Sequence, residues 1–202
     1  MKVVSPKDVG AGFVTGLTTG VIGWRVLAYL GKTLPADIEP SVLPFVLPFL
    51  WVAGVQLGYV LGRLIRPFTQ FGRFACIGFA NAAVDFGVLY IGIALTDATA
   101  GIAYTIIKAI SFSVATVHSY IWNKYWTFES SESAVSTREV SSFVGVSVVS
   151  LLVNVGVASL VVALRPESIA AASWAGISAV AGSAVAIIFS FTGFRVFVFK
   201  KK

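Results

Sequence analysis

Six stretches of this chain, residues 9–30, 42–61, 73–95, 103–121, 143–164 and 170–191, stay apolar for about the distance needed to cross a bilayer. At 1.5 Å per residue, about 20 residues cover the ~30 Å hydrocarbon core. Backbone N–H and C=O groups in lipid must pair within their own segment, so each stretch is expected to be a helix. The fold class that follows is an all-α polytopic membrane protein with six transmembrane helices. Charge content agrees: only 12% of the 202 residues are charged, against about 25% in soluble domains, and mean hydropathy is +0.89. The first stretch is the weakest, with five glycines and Arg25. Its length, and the lack of a small-x-small site before Lys32, favour an uncleaved helix over a signal peptide.

The cations follow the helix ends. With the N-terminus cytoplasmic, 11 of the 15 Lys and Arg residues fall on the cytoplasmic side. The positive-inside rule then places both termini there, as an even number of helices requires. The expected location is the cytoplasmic membrane. The net charge of +6 is thereby accounted for without nucleic acid.

The chain divides at residues 63–70. An N-terminal two-helix extension (1–66) precedes a four-helix transmembrane domain (70–202). That domain reads as two repeats, about 71–128 and 141–199. Phe74 to Asp85 resembles Phe143 to Asn154 at an offset of 69 residues. The segments from Ser119 to Phe128 and from Ser190 to Phe199 both set a cation among aromatics. Two helices per repeat make the copies parallel, related about an axis near the membrane normal.

Asp85 is the most informative residue, a carboxylate close to mid-membrane, where ionisable groups cost about 2.5–3.5 kcal/mol and tend to be functional. Lys108 reaches a similar depth from the other end of the next helix. The two are expected to pair, either as a lock on the hairpin or as a site where Lys108 meets a phosphate. Asn81 lies one turn from Asp85 on the same face, and Ser111 can line the same strip. In the second repeat Asn154 stands opposite Asp85, while Lys108 has no basic counterpart, so the site is asymmetric.

Lys124 and Arg195 end the second helix of each repeat, with Asn123 beside Lys124, and Arg73 begins the first helix. Snorkelling to lipid phosphates explains each cation singly. Together with Trp122, Trp126 and Phe197 they form a candidate grip for a lipid diphosphate headgroup. Tyr120, Trp122, Tyr125 and Trp126 are otherwise expected as headgroup-layer anchors. Gly12, Gly16 and Gly20 form a small-residue ridge, suited equally to packing within the chain or against a partner. A single His (His118) and a single Cys (Cys76) leave hydrolytic, metal and disulfide chemistry without support. No enzyme activity, metal or cofactor is expected.

The run Arg73-Phe74-x-x-x-Gly78-x-x-Asn81-x-x-x-Asp85-Phe86-Gly87, followed by Ser119 to Phe128, resembles the GtrA-like family over about residues 70–200. Ser119 and Ser190 stand where that family often has Asn, Lys124 replaces the usual Arg, and Phe194 replaces a second Asn. The resemblance implies a non-enzymatic role in cell-envelope polysaccharide biosynthesis, with flipping of a polyprenyl-phosphate-linked sugar as the first reading. The alternative is a membrane anchor or partner for a polyprenyl-phosphate glycosyltransferase. A small proton-coupled exporter using Asp85 ranks last, because Lys108 competes with the proton for the carboxylate. The residues assigned to the substrate or lipid phosphate are Asp85, Lys108, Asn81, Arg73, Asn123, Lys124, Arg195 and Asn154. Expected partners are membrane lipid and the lipid-linked sugar, with a glycosyltransferase or a second copy of the chain as further candidates.

Overall fold

A computed structural model describes residues 4–130 and 134–199. Its elements are all helical, and six are long and apolar enough to cross a membrane. The chain is a multi-pass membrane protein. It forms two compact units, Met1–Glu129 and Ser130–Lys202.

In the first unit, α1 (Pro6–Tyr29) begins where Ser5 caps it: the Ser5 hydroxyl accepts from the Asp8 N–H, and Pro6 occupies the first turn. Proline fits there because its missing N–H would have no partner in the helix. A loop with two 3₁₀ turns, Pro35–Asp37 and Pro40–Val42, leads to α2 (Leu43–Leu61). Pro44 sits harmlessly in the first turn of α2, whereas Pro48 lies inside it.

The glycine ridge of α1 meets α2 of the same chain. A Cβ at Gly16 would stand 2.6 Å from Pro48 Cα, and one at Gly20 would stand 2.6 Å from the Leu43 carbonyl oxygen. Both clashes are with backbone, which cannot swing away. Gly16→Leu is therefore expected to cost about 1–3 kcal/mol by overpacking in thermal unfolding of the purified chain. Gly10→Leu, where an added Cβ meets nothing within 4 Å, is expected to stay within about 0.5 kcal/mol. Equal melts for the two variants would show that α1 and α2 are not held at this distance.

A tight linker, 62–66, turns the chain into α3 (Pro67–Thr96), six residues longer at its start than the apolar run alone predicts. Gly58 and Gly72 let α2 and α3 touch backbone to backbone. Helix α3 ends with Asp97 in the left-handed region (φ 55°), and α4 (Gly101–Trp122) returns along it. At the end of α4 the chain widens into a π-helix, Asn123–Thr127, closed by the Phe128 N–H donating to the Asn123 carbonyl at 2.9 Å.

The second unit is a hairpin of α5 (Thr137–Ala163), capped by Ser136, and α6 (Ala171–Gly193). It too finishes in a five-residue π-helix, Phe194–Val198. Phe143 near the start of α5 stacks on Phe194, with ring centroids 4.4 Å apart, and packs on Phe199. In the first unit Phe74 packs similarly on Phe128, at 6.4 Å.

Candidate functional site

Two polar clusters stand out in the first unit, about 18 Å apart along α3, since Arg73 and Asp85 are twelve residues apart. The deeper one joins α3 to α4. Lys108 Nζ donates to Asp85 Oδ2 at 2.5 Å, and the Ser111 hydroxyl donates to Asp85 Oδ1 at 2.7 Å. The second oxygen of the carboxylate is thus held by a neutral donor, and the lysine takes the first. Ser111 is fully buried, whereas the Lys108 side chain is 39% exposed and that of Asp85 22%. One turn away, Asn81 Oδ1 is buried with no hydrogen-bond partner. The expected pairing of Asp85 with Lys108 and the alignment of Ser111 with it are both present. The result is an ion pair with one open flank and an unsatisfied oxygen beside it.

The second cluster surrounds Arg73 at the start of α3. Its Nε lies 2.9 Å from Asp8 Oδ1, and Nη2 donates to Asp8 Oδ2 (3.1 Å) and to the Tyr59 hydroxyl (2.8 Å). Nη1 donates to the Trp126 carbonyl (3.1 Å) and to Glu129 Oε1 (2.8 Å). Both terminal nitrogens of the guanidinium thus place their donors on oxygens, while Nε lies in ion-pair contact with Asp8 without a hydrogen bond of its own. Asp8 is equally engaged: it accepts from Ser5 Oγ (2.7 Å), Tyr59 Oη (2.6 Å) and Trp126 Nε1 (2.9 Å) besides Arg73. Val4, Val55, Cys76, Ile77 and Trp126 form a buried apolar cluster, with Tyr59 packed against it. The pair is sealed from solvent, with Asp8 1% and Arg73 7% exposed.

This cluster draws one residue from each of α1, α2 and α3, and reaches Trp126 through the π-helix. Asp8, Tyr59 and Glu129 carry no signal as site residues in the sequence. Asp8 follows Ser5-Pro6 and reads as an ordinary capping acid. The one available hint was that an acid immediately precedes one apolar run and an arginine opens another, with both runs starting on the same side.

The remaining expected residues divide. Lys124 is fully buried, its Nζ 5.9 Å from the Tyr120 ring centroid. Asn123 is buried beside it, donating to the Ser119 carbonyl at 2.9 Å, with its own Oδ1 unpartnered. Arg195, at the equivalent place in the second hairpin, is exposed. Of Arg73, Lys124 and Arg195, only Arg195 extends from the surface as snorkelling requires. Trp126, read as a headgroup anchor, instead lies 2% exposed inside the protein, because the wider π-turn carries its indole inward to Asp8. Asn154 in the second hairpin donates to Ser183 Oγ at 3.4 Å and faces Gly182, where a Cβ would meet its carbonyl at 2.5 Å.

A family model described as "GtrA/DPMS, transmembrane domain" matches residues 73–199. The match begins at Arg73 and leaves out Asp8 and Tyr59. A stretch of 57 residues is 37% identical to "Uncharacterized membrane protein YngA" of Bacillus subtilis (strain 168), covering 28% of this chain and 35% of that protein. The chain thus spans about a third of the length of the curated relative it matches. No solved structure matches it significantly.

Proposed function

This chain belongs to the GtrA/DPMS transmembrane-domain family, a membrane protein of polysaccharide or glycolipid metabolism, and on that footing we propose that it moves a polyprenyl-phosphate-linked sugar across the cytoplasmic membrane. The observation that carries this reading is the open flank of the Asp85–Lys108 pair. A lysine 39% exposed at mid-helix depth is costly against hydrocarbon, and a lipid phosphate is an anion able to exchange with Asp85 for it. Ser111 then retains Asp85 while Lys108 turns to the phosphate, and Asn81 offers a polar side chain one turn along the path. Arg195, in the second hairpin, is an exposed cation at its own helix end that suits an anionic headgroup. Arg73 acts here as a positioning residue, holding Trp126 and the π-helix through its guanidinium, and buried Lys124 and Asn123 stiffen the same turn. In this reading the two hairpins are copies of one unit, and Asn154 is the neutral counterpart of Asp85.

The test is reconstitution of the full chain into vesicles loaded with polyprenyl-phosphate sugar, followed by the rate at which the sugar becomes accessible outside. Wild type is expected to speed exposure well above protein-free vesicles. The double variant Asp85→Asn/Lys108→Met is expected to bring the rate back to that background while still folding. Background rates for well-folded wild type would sink the proposal.

The mutual pairing of Asp85 and Lys108 also suits a second reading, a membrane platform for a polyprenyl-phosphate glycosyltransferase. There the pair is only a lock, and the same double variant would keep glycosyltransferase recruitment in pull-downs from membranes.

A further inference from the structure

A groove of about 700 Å³ runs between α2 and α3 of the first unit, from Leu47 down to Leu61 and Phe68. Its walls are apolar throughout, and it lies mostly ahead of residue 73, outside the family match. From Leu47 to Leu61 it extends about 21 Å at 1.5 Å per residue, longer than the ~15 Å half-thickness of a hydrocarbon core. It is made possible by glycine: Gly58 and Gly72 bring the helices together behind it, and Gly54 leaves its wall bare. Its lower end is lined by Leu61 and Phe68, at the end of α2 and in the first turn of α3, on either side of the 62–66 linker. There Arg63 and Arg66 are exposed, and among the described residues neither has an ion-pair partner.

An elongated apolar slot with two uncompensated arginines at one mouth has the charge and shape pattern of a lipid with a single inserted chain and an anionic head. Basic residues flanking helices at the membrane surface attract anionic headgroups, at a strength of about fivefold in affinity per cation. Arginine suits a phosphate because its fork presents two parallel donors. We propose that this groove binds one acyl chain of an anionic glycerophospholipid, whose phosphate is held by Arg63 and Arg66. The bound lipid acts as a third wall to the α2–α3 contact and so stabilises the N-terminal pair on the rest of the unit. The proposal stands apart from any transport by Asp85 and Lys108.

The test compares vesicles of phosphatidylglycerol and phosphatidylcholine with identical acyl chains, reading phospholipid retained per full chain by native mass spectrometry together with the thermal melt. Wild type is expected to retain one phosphatidylglycerol and to melt higher with it than with phosphatidylcholine. Arg63→Gln/Arg66→Gln, on an exposed linker, is expected to lose this preference by about tenfold or more while melting like wild type in phosphatidylcholine. Gly54→Phe fills the slot, since a Cβ there meets nothing within 4 Å, and is expected to abolish retention of either lipid. Gly10→Phe, equally unhindered but outside the groove, is expected to keep it. Equal retention of both lipids by wild type, or full retention by Gly54→Phe, would overturn the proposal. So would displacement of phosphatidylglycerol by an equimolar polyprenyl phosphate.

Discussion

Asp8→Ala is expected to destabilise the chain by about 3–5 kcal/mol, because it strands a buried arginine. Arg73 is 7% exposed and directs two of its three nitrogens at the Asp8 carboxylate. Removing that carboxylate also leaves the Trp126 indole N–H and the Tyr59 hydroxyl without the acceptor they now share. Glu129 remains as a counter-charge, but its side chain is 45% exposed and serves one nitrogen only. The loss is thus dominated by an uncompensated charge rather than by a missing contact, and that has a diagnostic consequence. Asp8→Leu/Arg73→Met, which removes both charges, is expected to recover most of the stability, as replacing a buried pair by apolar groups often does. Denaturant or thermal unfolding of the purified full chain measures both. A single variant melting within about 1 kcal/mol of wild type would mean that Arg73 is neutralised by something other than Asp8.

The next largest effect belongs to Lys108→Met. It leaves Asp85 charged at mid-helix depth with only Ser111 donating to it, at a cost near the lower end of about 2.5–3.5 kcal/mol. The lower end applies because a third or more of the Lys108 side chain is already exposed, so the pair is not fully sealed. Adding Asp85→Asn removes the stranded charge and keeps an oxygen for the Ser111 hydroxyl. The double variant should then be more stable than Lys108→Met alone, with a coupling of about 1–3 kcal/mol across the cycle. Insertion efficiency and thermal unfolding, read in parallel, give the four corners. Additive effects would show that the two side chains do not depend on each other.

These two pairs were unequally visible in the amino-acid sequence. Asp85 and Lys108 sit deep within apolar runs on consecutive helices, where a charge has few ways to be satisfied, so their meeting follows almost from depth alone. Asp8 has a local explanation, and indeed fulfils it: it is in the first turn of α1, bonded to its own capping Ser5. A residue with a sufficient local role gives no reason to look 65 positions away for Arg73. The spans themselves follow from hydropathy, although α3 begins six residues earlier, at Pro67, because helix continues where apolarity stops.

Trp126 shows a different failure. An aromatic at a membrane boundary defaults to the headgroup layer, and nothing in Asn-Lys-Tyr-Trp-Thr announces i→i+5 hydrogen bonding. The π-helix turns the indole away from where α-helical spacing would put it. The glycine ridge of α1 was legible as a close approach but not as to its partner; backbone contact with Pro48 and Leu43 places that approach within the chain.

The reach of the Asp8 cluster bears on how the protein is made. Trp126 follows Asp8 by 118 residues, and at about 5–20 residues per second of synthesis the wait lasts roughly 6–24 s. For the first 65 residues of that interval the carboxylate lacks Arg73, and for the remainder it lacks only the indole. A helix carrying an unpaired acid in its first turn is held with that turn in the headgroup layer. The Asp8 carboxylate therefore gains its counter-charge only once α3 is made and its indole donor only once the end of α4 is made, so this cluster closes across three helices rather than within any hairpin.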